Sequence, residues 1–334
     1  MEMPDTNERR IIVSLTSYPA RIQYVSTVLS TITAQTKQAD EIVLWLAEEQ
    51  FPEKEKNLPR DLIRMIQEGS VTLRWCDDLK PHKKYFYAFQ EYPDDLVITI
   101  DDDLYYPPDM IEKLYASYLD HPNAVSAMRV HLMVYDEKTG ILPYNAWVIE
   151  YQETAGIESM QLFHTGNAGV LYPVHLFHKD MLNQDAIQEA CLYADDIWLK
   201  MMEIVSNVPV VFVRGHSKLN YIRKTQEDGL FQYNSSHNDE QIQRSIHQVE
   251  SRFGEGYVMD RLISAQKQMN LLNAGFLSNY YYEIIKKQRE NLADILNSWS
   301  FRIGAAITFP GRMVKKEWSF FRNHLKQDGR KSVS

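Results

Sequence analysis

The first 130 residues alternate between short apolar segments and segments with helical spacing, and this alternation constrains the fold more than any other feature. Apolar residues such as Ile22, Val25, Leu29 and Ile32 recur at the spacing of one helix face. This order favours an α/β fold with a mainly parallel sheet and helices on both faces. The predicted strands are 10–15, 41–46, 70–75, 96–100 and 124–130, and the predicted helices are 22–32, 60–67, 82–92 and 108–121.

The rest of the chain is less regular. A glycine-containing segment (164–173) runs into an apolar strand, and a helix (190–205) and a strand (208–213) follow. A polar loop is expected around "QYNSSHNDEQIQ", and helical periodicity dominates from about Tyr257 onward. With 334 residues, one large domain or two modest ones can form. We therefore expect an α/β domain over residues 1–255 and a helical C-terminal region over residues 256–334.

Composition excludes some classes of protein. The net charge of −9 argues against a general nucleic-acid binder, which needs a basic surface. Two cysteines in a chain of this length favour reduced thiols, and the polar start "MEMPDTNERR" lacks the apolar core of a signal peptide. No run of apolar residues is long enough for a transmembrane helix. These features predict a cytoplasmic protein.

Charge is unevenly distributed, because residues 298–334 carry eight basic and two acidic side chains. Aromatic residues such as Trp299, Trp318 and Phe320 are interspersed among them, as in helices that lie on anionic membranes. We expect this basic tail to bind the inner face of the cytoplasmic membrane peripherally. The alternative is a helix that packs on the domain with its basic face in water.

Three adjacent carboxylates, Asp101, Asp102 and Asp103, follow the predicted strand "LVITI". Like charges so close repel one another and raise each other's pKa. In extended backbone Asp101 and Asp103 would point one way and Asp102 the other. Ligands of open α/β sheets bind at the carboxyl ends of strands, and a divalent cation there would remove the repulsion. A solvated loop or a helix cap is the plainer interpretation.

Three further features favour a chemical role for these aspartates. Asp195 and Asp196 lie within an apolar, helix-like segment, where a helix N-cap or an exposed pair is the alternative. His237 stands in a polar segment and is otherwise an ordinary solvated histidine. The sequence "TSYPARI" follows the first predicted strand directly, where a nucleotide would lie in such a sheet.

Together, in this order, these segments resemble the motifs of GT-A glycosyltransferases, of the family 2-like group that builds bacterial surface polysaccharides. "DDD" resembles the DxD motif of that family, "TGNAGVLYP" its glycine-containing loop, "ADD" its second acidic motif and His237 its C-terminal metal-binding histidine. The resemblance covers residues 10–240 and departs from the family at Asp195, where many members carry Glu. It implies a Rossmann-like GT-A domain with a C-terminal helical extension.

The resemblance also implies a role for each matched residue. Asp103 and His237 would bind Mn²⁺ or Mg²⁺ directly, and Asp101 would reach the metal through water or lie near the ribose of the nucleotide. Asp196 would be the catalytic base. The residues implied at the nucleotide are Thr16, Tyr18, Arg21, Lys84, Asp101 and Asp102, and those implied at the sugar loop are Gly166, Asn167, Gly169 and Asp195. Lys83 is an equal alternative to Lys84, and an exposed helix face is as plausible for both lysines.

The implied reaction transfers a sugar from a nucleoside diphosphate, with UDP favoured over GDP, to a glycan or a lipid-linked acceptor. The metal stabilises charge on the leaving diphosphate, Asp196 takes the proton of the acceptor hydroxyl, and a single displacement inverts the anomeric centre. One alternative is a haloacid-dehalogenase-type phosphatase, although its nucleophilic Asp would end the first strand, which here ends in "SLTSYP". The other is a non-catalytic sugar- or Ca²⁺-binding module, in which Asp196 would have no role.

Overall fold

The structure is a computed structural model that describes residues 9–215, 219–222 and 230–272. Its α-helices are α1 (Ile22–Thr33), α2 (Arg60–Gln67), α3 (Lys83–Glu91), α4 (Met110–Asp120), α5 (Gln184–Ala190), α6 (Asp195–Ser206), α7 (Leu230–Phe253) and α8 (Tyr257–Leu272). Short 3-10 turns lie at Glu48–Gln50, Lys54–Asn57, Lys80–His82, Tyr144–Ala146, Gly166–Ala168, Val174–Leu176 and Lys179–Leu182.

The strands are β1 (Ile11–Thr16), β2 (Glu41–Ala47), β3 (Thr72–Cys76), β4 (Leu96–Thr99), β5 (Leu104–Tyr105), β6 (Val125–Ala127), β7 (Val130–Leu132), β8 (Tyr135–Asp136), β9 (Gly140–Ile141), β10 (Glu158–Ser159), β11 (Leu162–His164), β12 (Val170–Pro173), β13 (Val210–Phe212) and β14 (Asn220–Tyr221). Eight of them form the central sheet, in the order β10-β13-β6-β12-β4-β1-β2-β3.

This sheet confirms the predicted α/β fold. β3, β2, β1 and β4 pair in parallel, β6 and β13 run in the same direction, and β12 and β10 are antiparallel to their neighbours. Two local predictions were wrong. The segment 124–130 forms two strands in different sheets, since β6 joins the central sheet and β7 pairs with β11. The polar segment around His237 is helical, because α7 begins at Leu230.

Alternating residues of the central strands face two different helix layers. On one face, Val13, Leu44 and Ile98 belong to a core that also contains apolar residues of α1, α2 and α4. On the other face the Ser14 hydroxyl donates a hydrogen bond to the carbonyl of Lys84, which fixes α3 against β1. Each fully buried Val, Leu or Ile side chain contributes roughly 1.5–3 kcal/mol to folding. This packing therefore fixes where the carboxyl ends of the strands lie.

By its internal contacts the chain divides into two units, Met1–Leu271 and Leu272–Ser334. α8 contacts the α/β body, since the Gln266 side-chain oxygen accepts hydrogen bonds from Ser159 and from the N–H of Met160, at 3.0 and 2.9 Å. The basic tail predicted to bind membrane (298–334) lies outside the described residues. In the described ranges no helix combines the length and the apolar character needed to cross a membrane.

Candidate active site

The candidate site lies at the carboxyl ends of the central parallel strands, at the point where the strand order reverses. β2 and β3 follow β1 on one side, whereas β4 pairs with β1 on the other side. In open α/β sheets ligands bind at such a switch point, outside the carboxyl ends of the strands. β12 runs antiparallel to β4 with Val170 opposite Thr99, so its beginning lies at this same edge. The topology therefore brings together the segment after β1, the three aspartates after β4 and the glycine loop before β12.

Each of the three aspartates has a cationic partner. Lys84 Nζ donates to Asp101 Oδ1 at 2.6 Å, and Arg21 Nη1 donates to Asp102 Oδ1 at 3.0 Å and to Asp103 Oδ2 at 2.9 Å. The Ser17 hydroxyl donates to the second oxygen of Asp102 at 2.5 Å. The three side chains do not alternate as in extended backbone, because Asp102 and Asp103 lie in a turn and share Arg21. The cluster is thus stabilised by the protein's own cations.

Arg21 stands just before α1, at the point where the chain leaves β1. Burial acts to lower its pKa, but Asp102 and Asp103 outweigh this effect and the pKa is raised, so the guanidinium stays charged. Burial raises the pKa of Asp102, against the effect of Arg21 and Ser17. The Arg21 guanidinium lies 5.7 Å from the centre of the Tyr18 ring. The predicted nucleotide residues Tyr18 and Arg21 therefore border the aspartates, whereas the Thr16 hydroxyl donates to the Trp45 carbonyl at 2.8 Å.

The two lysines at the start of α3 are both buried rather than exposed. Lys83 Nζ donates to Asp78 at 2.6 Å, away from the three aspartates, whereas Lys84 Nζ lies 2.6 Å from Asp101 and 2.9 Å from Asp195. Burial acts to lower the pKa of Lys84, but the nearby carboxylates outweigh it and raise the pKa well above its usual value. Lys84 is the direct link between the first and the second acidic motif.

Asp195 and Asp196 form the first turn of α6, where the partial positive charge of the helix end favours carboxylates. Burial acts to raise the pKa of Asp195, but Lys84 outweighs it and the pKa is lowered. Burial, and after it the charge of Asp195, raise the pKa of Asp196 to about 7. The Asp196 side chain is 27% exposed and its Oδ1 accepts a hydrogen bond from the N–H of Gly166 at 3.0 Å. Asp196 is thus a reachable carboxylate with a pKa suited to proton transfer.

The glycine loop places backbone directly against these carboxylates. A Cβ at Gly166 would lie 3.0 Å from both Asp196 Oδ1 and Lys84 Nζ. Gly169 has φ +99° and a Cβ there would lie 2.6 Å from Met110 Sδ. The side-chain amide of Asn167 donates to the Tyr221 hydroxyl at 3.2 Å. The backbone carbonyl of Asn167 accepts from the Tyr106 hydroxyl at 2.8 Å. Gly166 therefore belongs to the site by close approach, and Gly169 by the turn that starts β12.

Sequence reasoning missed a group of fully buried charged residues behind Asp196. His164 at the end of β11 contacts Glu203, and Glu203 contacts Lys200, both on α6. The signal was present in the sequence, because Asp196, Lys200 and Glu203 fall at positions i, i+4 and i+7 of an otherwise apolar helix. That spacing puts three charges on one buried helix face.

The carboxyl end of the sheet at this switch point, here called the acidic edge, has more carboxylates than cations. Its carboxylates are Asp101, Asp102, Asp103, Asp195 and Asp196, and its permanent cations are Arg21 and Lys84. In addition, Asp195 Oδ2 is buried and accepts no aligned hydrogen bond from the described residues. Such an excess fits a divalent cation with oxygen ligands.

Metal ligation stays a prediction at the level of individual residues. In residues 9–215, 219–222 and 230–272, no three His, Cys, Asp or Glu side chains are grouped so that they alone could hold a metal ion. Mg²⁺ commonly takes one or two carboxylates and completes its shell with substrate phosphates and water. Asp101, with 30% of its side chain exposed, is the accessible member of the triple aspartate. His237 lies within α7, with its Nδ1 2.9 Å from the Ser236 hydroxyl.

A cleft of about 690 Å³ adjoins the acidic edge. It begins at Leu104, directly after the aspartates, and includes Asn167 and Ala168 of the glycine loop. Arg129 and Glu150 form an ion pair in its wall. The tyrosine and charged residues of its walls are Tyr105, Tyr106, Tyr151, Tyr221, Arg129, Arg214, Glu150 and Glu153. A cleft with aromatic walls and a few oriented polar groups suits a small polar ligand.

Comparison with known proteins gives matches among solved structures only. No family model matches the chain, and no curated protein matches it. A mannosyltransferase from Pyrobaculum calidifontis, in complex with GDP-Man and Mn²⁺, is 11% identical with a TM-score of 0.47, over 91% of this chain and 85% of that one. S. aureus TarS in complex with UDP is 13% identical with a TM-score of 0.47, over 76% of this chain and 69% of that one.

A third match is glucosyl-3-phosphoglycerate synthase from Mycobacterium tuberculosis, in complex with Mn²⁺, UDP and glucosyl-3-phosphoglycerate. It is 10% identical with a TM-score of 0.40, over 74% of this chain and 81% of that one. Each of these three TM-scores is below 0.5.

Proposed function

We propose that the chain is a metal-dependent glycosyltransferase that moves a sugar from a nucleoside diphosphate to an acceptor hydroxyl. One observation carries this proposal. A reachable carboxylate with a pKa of about 7, Asp196, lies at the same sheet edge as the triple aspartate, and Lys84 links the two. This transfer requires a carboxylate that can accept a proton near neutral pH. It also requires a neighbouring cluster that can bind a cation and a diphosphate.

The donor is proposed to bind at the switch point, with its diphosphate beside Asp101, Asp103 and Arg21. Asp101 and Asp103 would hold Mn²⁺ or Mg²⁺ together with phosphate oxygens, and His237 is the proposed third protein ligand. When bound, the metal would supply Lewis-acid stabilisation of the charge on the leaving diphosphate. Tyr18 borders this position through its contact with Arg21 and is a candidate wall of the nucleotide pocket. UDP is the proposed nucleotide, and GDP is the alternative to be tested.

Asp196 is proposed to accept the proton of the attacking hydroxyl. The N–H of Gly166 fixes one of its oxygens, and the exposed part of the side chain remains open to an acceptor. A base that activates an attacking hydroxyl suits a single displacement, which inverts the anomeric centre. The acceptor is proposed to enter through the tyrosine-lined cleft next to the glycine loop, and a saccharide fits its mixture of aromatic and charged groups.

The basic tail leads to a proposal about location. Residues 298–334 combine basic and aromatic side chains, which suits binding to an anionic lipid surface. We propose that a lipid-linked acceptor of a polysaccharide or glycolipid pathway is met there. Truncation before Ser298 should then abolish sedimentation with anionic vesicles and leave transfer to a water-soluble acceptor intact. Unchanged sedimentation would contradict membrane binding by this tail.

The donor site is tested by calorimetric titration of the protein with UDP and GDP, each with and without Mn²⁺. We expect metal-dependent binding of one nucleotide, lost in Asp103→Asn, which removes a charge at constant side-chain size. Asp61→Asn, at an exposed carboxylate of α2, is the matched control and should bind normally. Binding of neither nucleotide under any condition would refute the transferase and direct attention to phosphatase activity.

A further inference from the structure

The buried charged group behind Asp196 is not needed by the proposed donor or acceptor sites. His164, Lys200 and Glu203 have no exposed surface at all. Taking several charges out of water is costly, and apolar side chains of similar volume are often as stabilising or more so. Packing alone therefore does not account for three ionisable groups at the centre of this molecule.

The geometry of the group points towards Asp196. His164 Nε2 lies 2.9 Å from Glu203 Oε1, and His164 Nδ1 lies 3.8 Å from Asp196 Oδ1. Lys200 Nζ donates to the other Glu203 oxygen at 2.9 Å and to the Leu162 carbonyl at 2.8 Å. Both ring nitrogens of His164 thus face carboxylates. These are ion-pair contacts, because 3.8 Å exceeds hydrogen-bond length and Glu203 Oε1 accepts no aligned hydrogen bond from the described residues. The imidazolium is the form of His164 that both carboxylates attract.

We propose that His164 is a positioning residue of the transfer reaction, an imidazolium that Glu203 holds against the carboxylate of Asp196. Lys200 fixes Glu203 in turn, because it binds the second carboxylate oxygen and is itself tied to β11 through the Leu162 carbonyl. The chain of contacts runs from α6 to β11 and back to the first turn of α6. This inference rests on the proposed role of Asp196 as the base.

The electrostatics of His164 agree with this geometry. Burial acts to lower the pKa of His164, but Glu203 and then Asp196 outweigh it, so the pKa is raised. For Glu203 burial acts in the opposite direction, yet Lys200 and His164 lower its pKa. The phenol of Tyr172 lies 3.4 Å from both ring nitrogens and its pKa is raised well above its usual value, so it stays neutral. The two carboxylates therefore favour the charged form of His164, Glu203 more strongly than Asp196.

Charged groups on several elements act on Asp196, and His164 is one of those that stabilise its ionised form. Asp195 on α6 and Asp101 after β4 raise the pKa of Asp196, whereas His164 from β11 and Lys84 from α3 lower it. Two phenols of the described residues also face Asp196, namely Tyr144, whose pKa is raised to about 12, chiefly by burial, and Tyr172, whose pKa burial raises well above its usual value. His164 thus offsets part of the repulsion between the two aspartates and increases the ionised fraction of Asp196 near neutral pH, the form that can accept a proton.

The chain contains a matched control for this inference. His82 is also fully buried, with its Nε2 2.9 Å from the Cys191 carbonyl and its Nδ1 3.0 Å from the Tyr85 hydroxyl. Burial lowers the pKa of His82 to about 4, so it is neutral wherever the enzyme would be assayed. Replacing His82 removes a buried ring and replacing His164 removes a buried ring together with a charge.

The first test is the pH dependence of kcat in His164→Gln and His82→Gln, after circular dichroism has confirmed that both fold. We expect the fall of kcat on the acid side to move up by about one pH unit in His164→Gln, as loss of a cation near a carboxylate should do. His82→Gln should leave the position of that fall unchanged, whatever its effect on the absolute rate. An unmoved profile in an active His164→Gln enzyme would overturn the proposal.

The second test does not depend on activity. In protein labelled with ¹⁵N at histidine, ring-nitrogen chemical shifts distinguish imidazolium from imidazole, and His164→Gln and His82→Gln assign two of the ten histidines. We expect His164 to be doubly protonated at pH 7.5 in wild type and singly protonated in Glu203→Gln. A neutral His164 in wild type would refute the proposal even in an active enzyme. If no nucleotide or sugar donor is used at all, the proposed function fails, and the spectrum still decides the charge of His164.

Discussion

The two acidic motifs of this molecule use the same side chain in opposite ways. At the end of β4 all three aspartates are paired with Arg21 or Lys84. At the start of α6 the two aspartates are divided. Asp195 is paired with Lys84, whereas Asp196 accepts a hydrogen bond from the N–H of Gly166 and lies 3.8 Å from His164. The first motif is an anionic cluster whose charge is partly offset by the protein's own cations, and the second is a pair of carboxylates with different affinities for protons.

This separation is what distinguishes a chemical role from an electrostatic one. Two neighbouring carboxylates whose environments push their pKa values apart are a sign of assigned acid and base functions. Asp195 has its pKa lowered by Lys84, and the ionised Asp195 helps to raise that of Asp196 to about 7. Lys84 thus has a part in both motifs, because it neutralises Asp101 and fixes which member of the second pair is ionised first.

The largest expected effect comes from removing the proposed base, Asp196, of the second motif. Asp196→Asn keeps the size of the side chain and cannot take a proton, so kcat should fall by about 100- to 10,000-fold. Binding of the donor nucleotide should be unchanged, since the first motif is intact. Initial rates and calorimetry on the same preparation give both values. A variant with normal turnover would favour a non-catalytic binding module.

The second effect concerns the link between the motifs. Lys84→Met leaves Asp101 and the buried Asp195 without their shared cation, and loss of one partner of a buried ion pair costs about 3–5 kcal/mol. Unfolding in urea would show this as a lower midpoint. Arg74→Met removes an exposed pair with Glu91 and should cost about 1 kcal/mol or less. Equal losses in the two variants would mean that Lys84 is not structurally required at the junction.

The fold was largely predictable because its signals are local. Apolar strands at 10–15, 41–46, 70–75 and 96–100 appear within a residue or two of β1 to β4, since hydrophobic periodicity decides burial. The strand β12 was predicted but its antiparallel direction was not, because that direction depends on the turn at Gly169 and on pairing with β4, which is distant in sequence. Without that reversal the glycine loop would not lie beside the aspartates.

The sequence indicated which segments would lie together, but it did not indicate the contacts between their side chains. The acidic motifs and the glycine loop do lie at one sheet edge, but the partners of Asp102 and Asp103 depend on how Arg21 folds back from the start of α1. The contact between His164 and α6 likewise depends on the tertiary structure, so local sequence patterns do not reveal it. Its partners, Lys200 and Glu203, could have been flagged as charges on an apolar helix face.

The third effect distinguishes steric from electrostatic consequences of substitutions in the glycine loop. Gly166→Ala places a methyl group 3.0 Å from Asp196 Oδ1 and Lys84 Nζ, so these groups must shift, at a cost of about 1–3 kcal/mol. kcat should fall together with stability. Gly169→Ala should destabilise through its φ of +99° and its contact with Met110, with no charged group displaced. Its pH profile should therefore stay at the wild-type position, whereas a shift would show that the whole loop, rather than Gly166, sets the environment of Asp196.

The smallest effect is the contribution of Asp196 to the dependence of stability on pH. The pKa of Asp196 is raised to about 7 in the folded protein, so between roughly pH 4 and pH 7 the folded state binds a proton that the unfolded chain releases. Its contribution is therefore present below pH 4 and lost as the pH rises through 7. Asp196→Asn should gain stability relative to wild type between about pH 5 and pH 8, by on the order of 1 kcal/mol.

Asp136 in the β8–β9 hairpin provides the opposite sign, because the backbone N–H groups of Lys138 and Thr139 lower the pKa of its carboxyl. Its contribution is present above the usual pKa of an aspartate and lost as the pH falls below it. Asp136→Asn should therefore lose stability relative to wild type by the same amount at pH 5 as at pH 8. Urea midpoints at the two pH values measure both variants. A flat difference for Asp196→Asn would mean that Asp196 is ionised throughout this range, and the contrast between the two motifs would then lie in access to the acceptor rather than in affinity for a proton.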